Sequence, residues 1–104
     1  MLDVVIRPRA ELDIESIQIF LAYERRRPQA AVDAIARVYE ALELVKEFPD
    51  MGGRVHMDEL SDEYRTIPAN PYTIYYRYDA KTITVCRVLH QRQDMDTYTL
   101  VDFD

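Results

Sequence analysis

The sequence predicts an α+β domain: a small antiparallel sheet with an N-terminal helical hairpin packed on one face, in the order β-α-α-β-β-β. Three observations predict it. Two early stretches carry apolar residues at helical spacing. Only the short junction Glu24–Pro28 separates them, as in an αα-hairpin. Three late stretches are rich in β-branched and aromatic residues, bounded by prolines and a short polar turn. At 104 residues the chain reads as one domain, residues 1–104, large enough to bury a core without staples.

The elements follow in order. Leu2–Ile6 (LDVVI) is short and β-branched and reads as a strand. Pro8 ends strand pairing and suits the first turn of a helix. From there Ala10, Ile14, Ile17 and Leu21 fall on one face, widened by Leu12 and Phe20, with Glu11 and Asp13 near the positive end of the helix dipole. The first helix is expected from about Pro8 to Arg26. Arg25, Arg26 and Arg27 close it, as a solvated helix end or as an anion site, and Pro28 forces a restart. The second helix carries Ala31, Ile35, Val38, Leu42 and Val45 on one face and stops at Phe48-Pro49. Met51–Asp62 is a connector, with Gly52 and Gly53 expected to allow a sharp turn and His56 exposed in an acidic loop.

Three strands supply the flat surface that the helical stripes need. Tyr64–Pro68 is the first. In Tyr72–Tyr78 the residues Tyr72, Ile74, Tyr76 and Tyr78 share one face and Thr73, Tyr75 and Arg77 the other. That tyrosine row reads as a packed sheet face with hydroxyls reaching the rim, or as a platform on which bases stack. Asp79-Ala80-Lys81 is a hairpin-length turn, and Thr82–His90 is the third strand. Its apolar run is that of a buried central strand that breaks into polar residues at its end.

Composition narrows the function. The chain is 48% hydrophobic and 31% charged, as in an ordinary globular protein, with no apolar run long enough to span a membrane. Its start is too short in apolar residues for a signal peptide, so a cytoplasmic location is expected. The single cysteine, Cys86, agrees with a reducing compartment and excludes an internal disulfide. Two histidines and one cysteine make no zinc site, and neither a metal nor a cofactor is expected. The net charge of −6 argues against a general nucleic-acid binder. Yet Arg65, Arg77, Lys81, Arg87 and Arg92 form a basic block in which Asp79 is the sole acid, compatible with an anionic partner.

Motifs for nucleotide, metal or nucleophile chemistry are missing: there is no P-loop, dinucleotide fingerprint, HExxH or nucleophile elbow. One constellation remains, Arg65, Arg87, His90, Arg92 and Tyr98 around the sheet end. Phosphodiester cleavage needs a base, cations on the phosphoryl oxygens and an acid, which these residue types can supply.

The segments AELDIESI (Ala10–Ile17), FPDMGGR (Phe48–Arg54), EYRTI (Glu63–Ile67), PYTIYYR (Pro71–Arg77) and ITVCRVLHQRQD (Ile83–Asp94) resemble the ParE/RelE superfamily of bacterial toxins, or plasmid-stabilisation proteins. The last segment is most similar to the ParE branch. The resemblance implies the toxin of a type II toxin–antitoxin pair, neutralised by a cognate antitoxin that folds over it and carries the operator-DNA contacts. ParE-like members inhibit DNA gyrase; RelE-like members cleave mRNA in the ribosome. The nuclease reading would use Arg65, His90, Arg92 and Tyr98. It would also want an arginine where Thr73 stands and lysines where Thr66 and Ile67 stand, cations that are missing. The ParE reading would use Arg65, Arg77, Arg87, His90 and Arg92 to bind target or antitoxin. The resemblance also leaves a homodimer open, and a family member that binds only its antitoxin.

Overall fold

A computed structural model describes residues 2–55 and 64–92. The expected elements are present: β1 (Asp3–Ile6), α1 (Pro8–Ile19), α2 (Pro28–Glu47), β3 (Arg65–Ala69), β4 (Tyr72–Tyr78) and β5 (Thr82–His90). A two-residue strand β2 (Gly53–Arg54) lies inside the expected connector. It pairs with Thr66 and Arg65 and extends the sheet to five strands in the order β1-β5-β4-β3-β2.

The sheet is mixed, not wholly antiparallel. β3, β4 and β5 form the expected antiparallel meander, but β1 pairs with β5 in parallel, Asp3 opposite Thr82 and Ile6 opposite Val85. The reason is parity. A helical hairpin returns the chain to the end of the sheet where β1 began. Three meander strands then leave the last one running the same way as the first.

The helical stripe buries where expected. Val38, Leu42 and Val45 join Ile74, Tyr76, Ile83 and Val85 in one core, with Ala10, Ile14 and Ile17 of α1. Alanines 34 and 41 complete the inner face of α2, while Ile35 packs at its margin. Small residues there let the helix lie close to the sheet. Tyr72 and Tyr76 are buried in the same core, so the tyrosine row is a packed face and its inner members are closed to stacking bases. A smaller cluster of Val55 and Cys86, with Tyr64 and Tyr75 against it, lies on the opposite face.

Two local departures have physical causes. The β4–β5 pairing shifts between Tyr75 and Tyr76, which face Arg87 and Val85, leaving Cys86 as the extra residue of a β-bulge. Val85 and Cys86 are both buried, Val85 in the main core and Cys86 in the smaller cluster on the other face. The first helix does not run uniformly to Arg26. It widens into a π-helical turn over Phe20–Glu24, with the Arg25 N–H on the Phe20 carbonyl. Arg26 then takes a left-handed φ of 53° before Pro28 opens α2.

Candidate functional site

The two ends of the sheet position different candidate residues. At the end where β3 begins, Arg65 donates through Nη1 to the carbonyls of Asp50 (3.0 Å) and Gly52 (2.9 Å). Its guanidinium lies 5.7 Å from the Tyr78 ring centroid. Beside it the Tyr76 hydroxyl donates to the Pro49 carbonyl (2.8 Å) and accepts from the Gly52 N–H (3.1 Å). Burial pushes the Tyr76 phenol up, partly offset by the Gly52 hydrogen bond and by Arg65. Gly52 is required by close approach: a Cβ there would sit 2.5 Å from the Tyr76 hydroxyl and 2.7 Å from the Thr66 carbonyl. Its φ is not left-handed, so closeness, rather than the expected turn conformation, explains the glycine.

Midway along β5, β1 stops at Ile6, opposite Val85, and α1 takes over the edge. The Asp13 carboxylate accepts the Val88 N–H (2.9 Å) and both arms of Arg87, Nε at 2.7 Å and Nη2 at 2.9 Å. The pair is 14% exposed on each side. Its hydrogen bonds hold the Arg87 charge more firmly than usual, with burial opposing. Arg87 thus ties α1 to β5. Asp13 lies at i+3 from Ala10 and one residue before Ile14, so it belongs to the inner stripe. A carboxylate there calls for a cation, a signal that a reading of the helix dipole alone passes over.

His90 ends β5 opposite Tyr72, their rings edge to face with centroids 5.6 Å apart. Its Nδ1 accepts the Arg92 backbone N–H at 3.1 Å. Gln91 donates to the Pro71 carbonyl and the Asn70 side chain, and Arg37 of α2 donates to the Asn70 carbonyl. Arg77 sits apart, 5.9 Å from the Tyr64 ring and beside Thr82 and Thr84.

The site residues therefore split. His90 and Arg92 lie at the far end of the sheet, whereas Arg87, opposite Tyr75, sits mid-strand. Arg65 stands opposite Tyr76 while His90 stands opposite Tyr72. Four residues of strand put them about 13 Å apart along the sheet. Tyr98 and His56 lie outside the described residues. Thr73 is paired between Pro68 and Leu89. Among the described residues the cations expected for phosphodiester cleavage do not converge on one point, and no group of His, Cys, Asp and Glu side chains could hold a metal. No helix among them is long and apolar enough to cross a membrane.

The geometry is that of a small α+β fold, two helices on a five-stranded mixed sheet. Residues 4–95 match the family described as "ParE toxin of type II toxin-antitoxin system, parDE". Over 93 residues the chain is 31% identical to Toxin ParE1 of Mycobacterium tuberculosis, covering 88% of this chain and 92% of that one. Among solved structures it is similar to the chromosomal ParDE toxin–antitoxin system from P. aeruginosa, with a TM-score of 0.67 at 17% identity, covering 86% of this chain and 96% of that one. It is also similar in fold to the YoeB dimer from Staphylococcus aureus, with a TM-score of 0.60 at 14% identity over 86% and 97%. The chain belongs to the ParE toxin family of type II toxin–antitoxin systems.

Proposed function

We propose that this toxin acts in the cytoplasm by binding DNA gyrase and stalling its supercoiling reaction, and that a cognate antitoxin holds it inactive. The observation that supports a binding action over RNA cleavage is the engagement of its arginines. Arg87 is committed to Asp13 and Arg65 to two backbone carbonyls. A phosphoryl-transfer site needs cations aimed at the developing charge. The absence of an arginine at Thr73, and the net charge of −6, point the same way. In this reading operator DNA is met through the antitoxin.

The purified protein should inhibit supercoiling of relaxed plasmid by gyrase and leave translated mRNA uncut. His90→Gln keeps hydrogen bonding and removes titration, so a binding toxin should keep most of its potency. A general acid or base would lose about 10²–10⁴-fold in rate. Codon-specific mRNA cleavage, abolished by His90→Gln or Arg92→Ala, would replace this reading with the ribonuclease.

A further inference from the structure

The junction between the two helices carries three consecutive exposed arginines, Arg25, Arg26 and Arg27. The Arg25 guanidinium lies 5.3 Å from the Phe20 ring centroid, which props it at the surface. Two backbone hydrogen bonds turn the chain there, from the Arg25 N–H to the Phe20 carbonyl (2.9 Å) and from the Arg27 N–H to the Leu21 carbonyl (2.8 Å). Arg26 between them is left-handed, with a φ of 53°, at a helix end where glycine or asparagine is usual. Arg27 then stands at the N-cap of α2 without a side-chain cap bond, and no acid occupies the first turn of that helix. Each of these choices works against the fold. A non-glycine residue in the left-handed region is strained, a cation at a helix N-terminus opposes the dipole, and neighbouring like charges repel. Among the described residues no hydrogen bond or ion pair engages the three guanidinium groups. Of the acids nearest in sequence, Glu24 adjoins Arg25, and the Asp33 carboxylate accepts from Gln29 (3.0 Å).

We propose that this hairpin tip contacts the phosphate backbone of the DNA duplex on which gyrase acts, so that the toxin bears on enzyme and DNA together. The inference rests on the gyrase reading and adds a contact to it. Local rules broken together at one place mark a functional site. An external anion offsets the repulsion and the dipole, and the need for that anion explains why arginine rather than glycine holds the left-handed position. The pattern of charge selects the kind of anion. Protein surfaces intersperse both signs, whereas a duplex offers an uninterrupted row, about one charge per 1.7 Å of axis. Three cations on successive residues, with Cα atoms about 3.8 Å apart, match the row. The guanidinium fork fits phosphate oxygens two at a time, and the exposed Tyr23 hydroxyl, two residues before Arg25, is a further donor of the kind that backbone phosphates accept. The net charge of −6 keeps the rest of the surface off DNA. The tip therefore contributes where gyrase already holds the duplex and gives little affinity for free DNA.

The test titrates purified toxin into gyrase supercoiling of relaxed plasmid, comparing wild type with Arg26→Gly and with a triple variant, Arg25→Gln, Arg26→Gly and Arg27→Gln. Glycine relieves the backbone at position 26, so Arg26→Gly should melt above wild type. It should nevertheless inhibit about threefold less well, as the loss of one phosphate contact predicts. A purely structural arginine would not give that combination. The triple variant should lose about tenfold in potency at about 50 mM salt and little at about 200 mM, because phosphate contacts weaken as salt rises. In the complex of toxin, gyrase and DNA, a photo-crosslinking phenylalanine replacing Arg27 should label DNA. The same residue replacing Leu44, exposed near the other end of α2, should not. Crosslinks from position 27 to a gyrase subunit alone overturn the proposal in favour of an acidic protein surface. So does wild-type potency in both variants. Wild-type toxin that leaves supercoiling untouched sinks the gyrase reading itself, and this inference with it.

Discussion

The two ends of the sheet use the same residue types to opposite effect. At the Gly52 end an arginine and a tyrosine spend their polar atoms on the backbone of residues 49–52, and the glycine leaves no room for a side chain. At the Phe20 end an arginine lies on an aromatic ring at the surface, the helix has widened, and apolar side chains face water. One end is closed upon itself. The other is built with capacity left over. An arginine therefore signals binding only where its donors are not already consumed by its own fold.

The sharpest way to break the closed end is Gly52→Ala. The added methyl would press on the Thr66 carbonyl and the Tyr76 hydroxyl, and overpacking of this kind costs about 1–3 kcal/mol. We expect the top of that range, read by denaturant unfolding, because one contact is rigid backbone. An unfolding midpoint equal to wild type would mean that the loop is free to move away. Asp13→Ala comes next. It strips Arg87 of its bidentate partner and the Val88 N–H of its acceptor, for about 2 kcal/mol on the scale of hydrogen bonds to charged groups.

Tyr76→Phe should cost about 1–2 kcal/mol at neutral pH by removing the hydroxyl that serves Pro49 and Gly52. It also has a pH signature. Burial raises the phenol above its usual value of about 10, so above that pH the folded state holds a proton that the unfolded state has released. Stability is full below pH 10 and declines as pH rises beyond it. The Tm of wild type should fall more steeply in that range than the Tm of Tyr76→Phe. Parallel curves would show that Tyr76 titrates as a free phenol. Smallest of all, Phe20→Ala at the open end should change stability by less than about 0.5 kcal/mol, as surface substitutions do. A large loss would convert that end from a surface into part of the core.

Much of this was legible in the chain. The faces of α2 and β4 followed from spacing alone, because each buries a single side and the period records it. Asp79 behaves as its turn required: its carboxylate accepts the Lys81 and Thr82 N–H groups, which holds its pKa below the usual carboxylate value. The direction of β1 was not legible, since pairing between sequence-distant strands leaves no local trace. Neither was the role of Arg87, whose partner lies 74 residues away. The π-helical turn escaped because its extra residue preserves the apolar composition and changes only the phase. The element order and the packing of the helical hairpin were read correctly, whereas Arg65 and His90, read as neighbours around one sheet end, stand opposite Tyr76 and Tyr72.

The parallel pairing of β1 with β5 also bears on when this toxin comes into being. Asp3 meets Thr82, about 80 residues further on, so the first strand made is among the last to find its neighbour. At roughly 5–20 residues per second, several seconds of synthesis separate the two. Throughout that interval the N-terminal strand and the inner face of α1 lack the β5 surface that will cover them. A ribosome carrying this chain therefore holds an unfinished sheet until β5 has emerged, and that delay is a window in which a companion already present could meet the nascent protein.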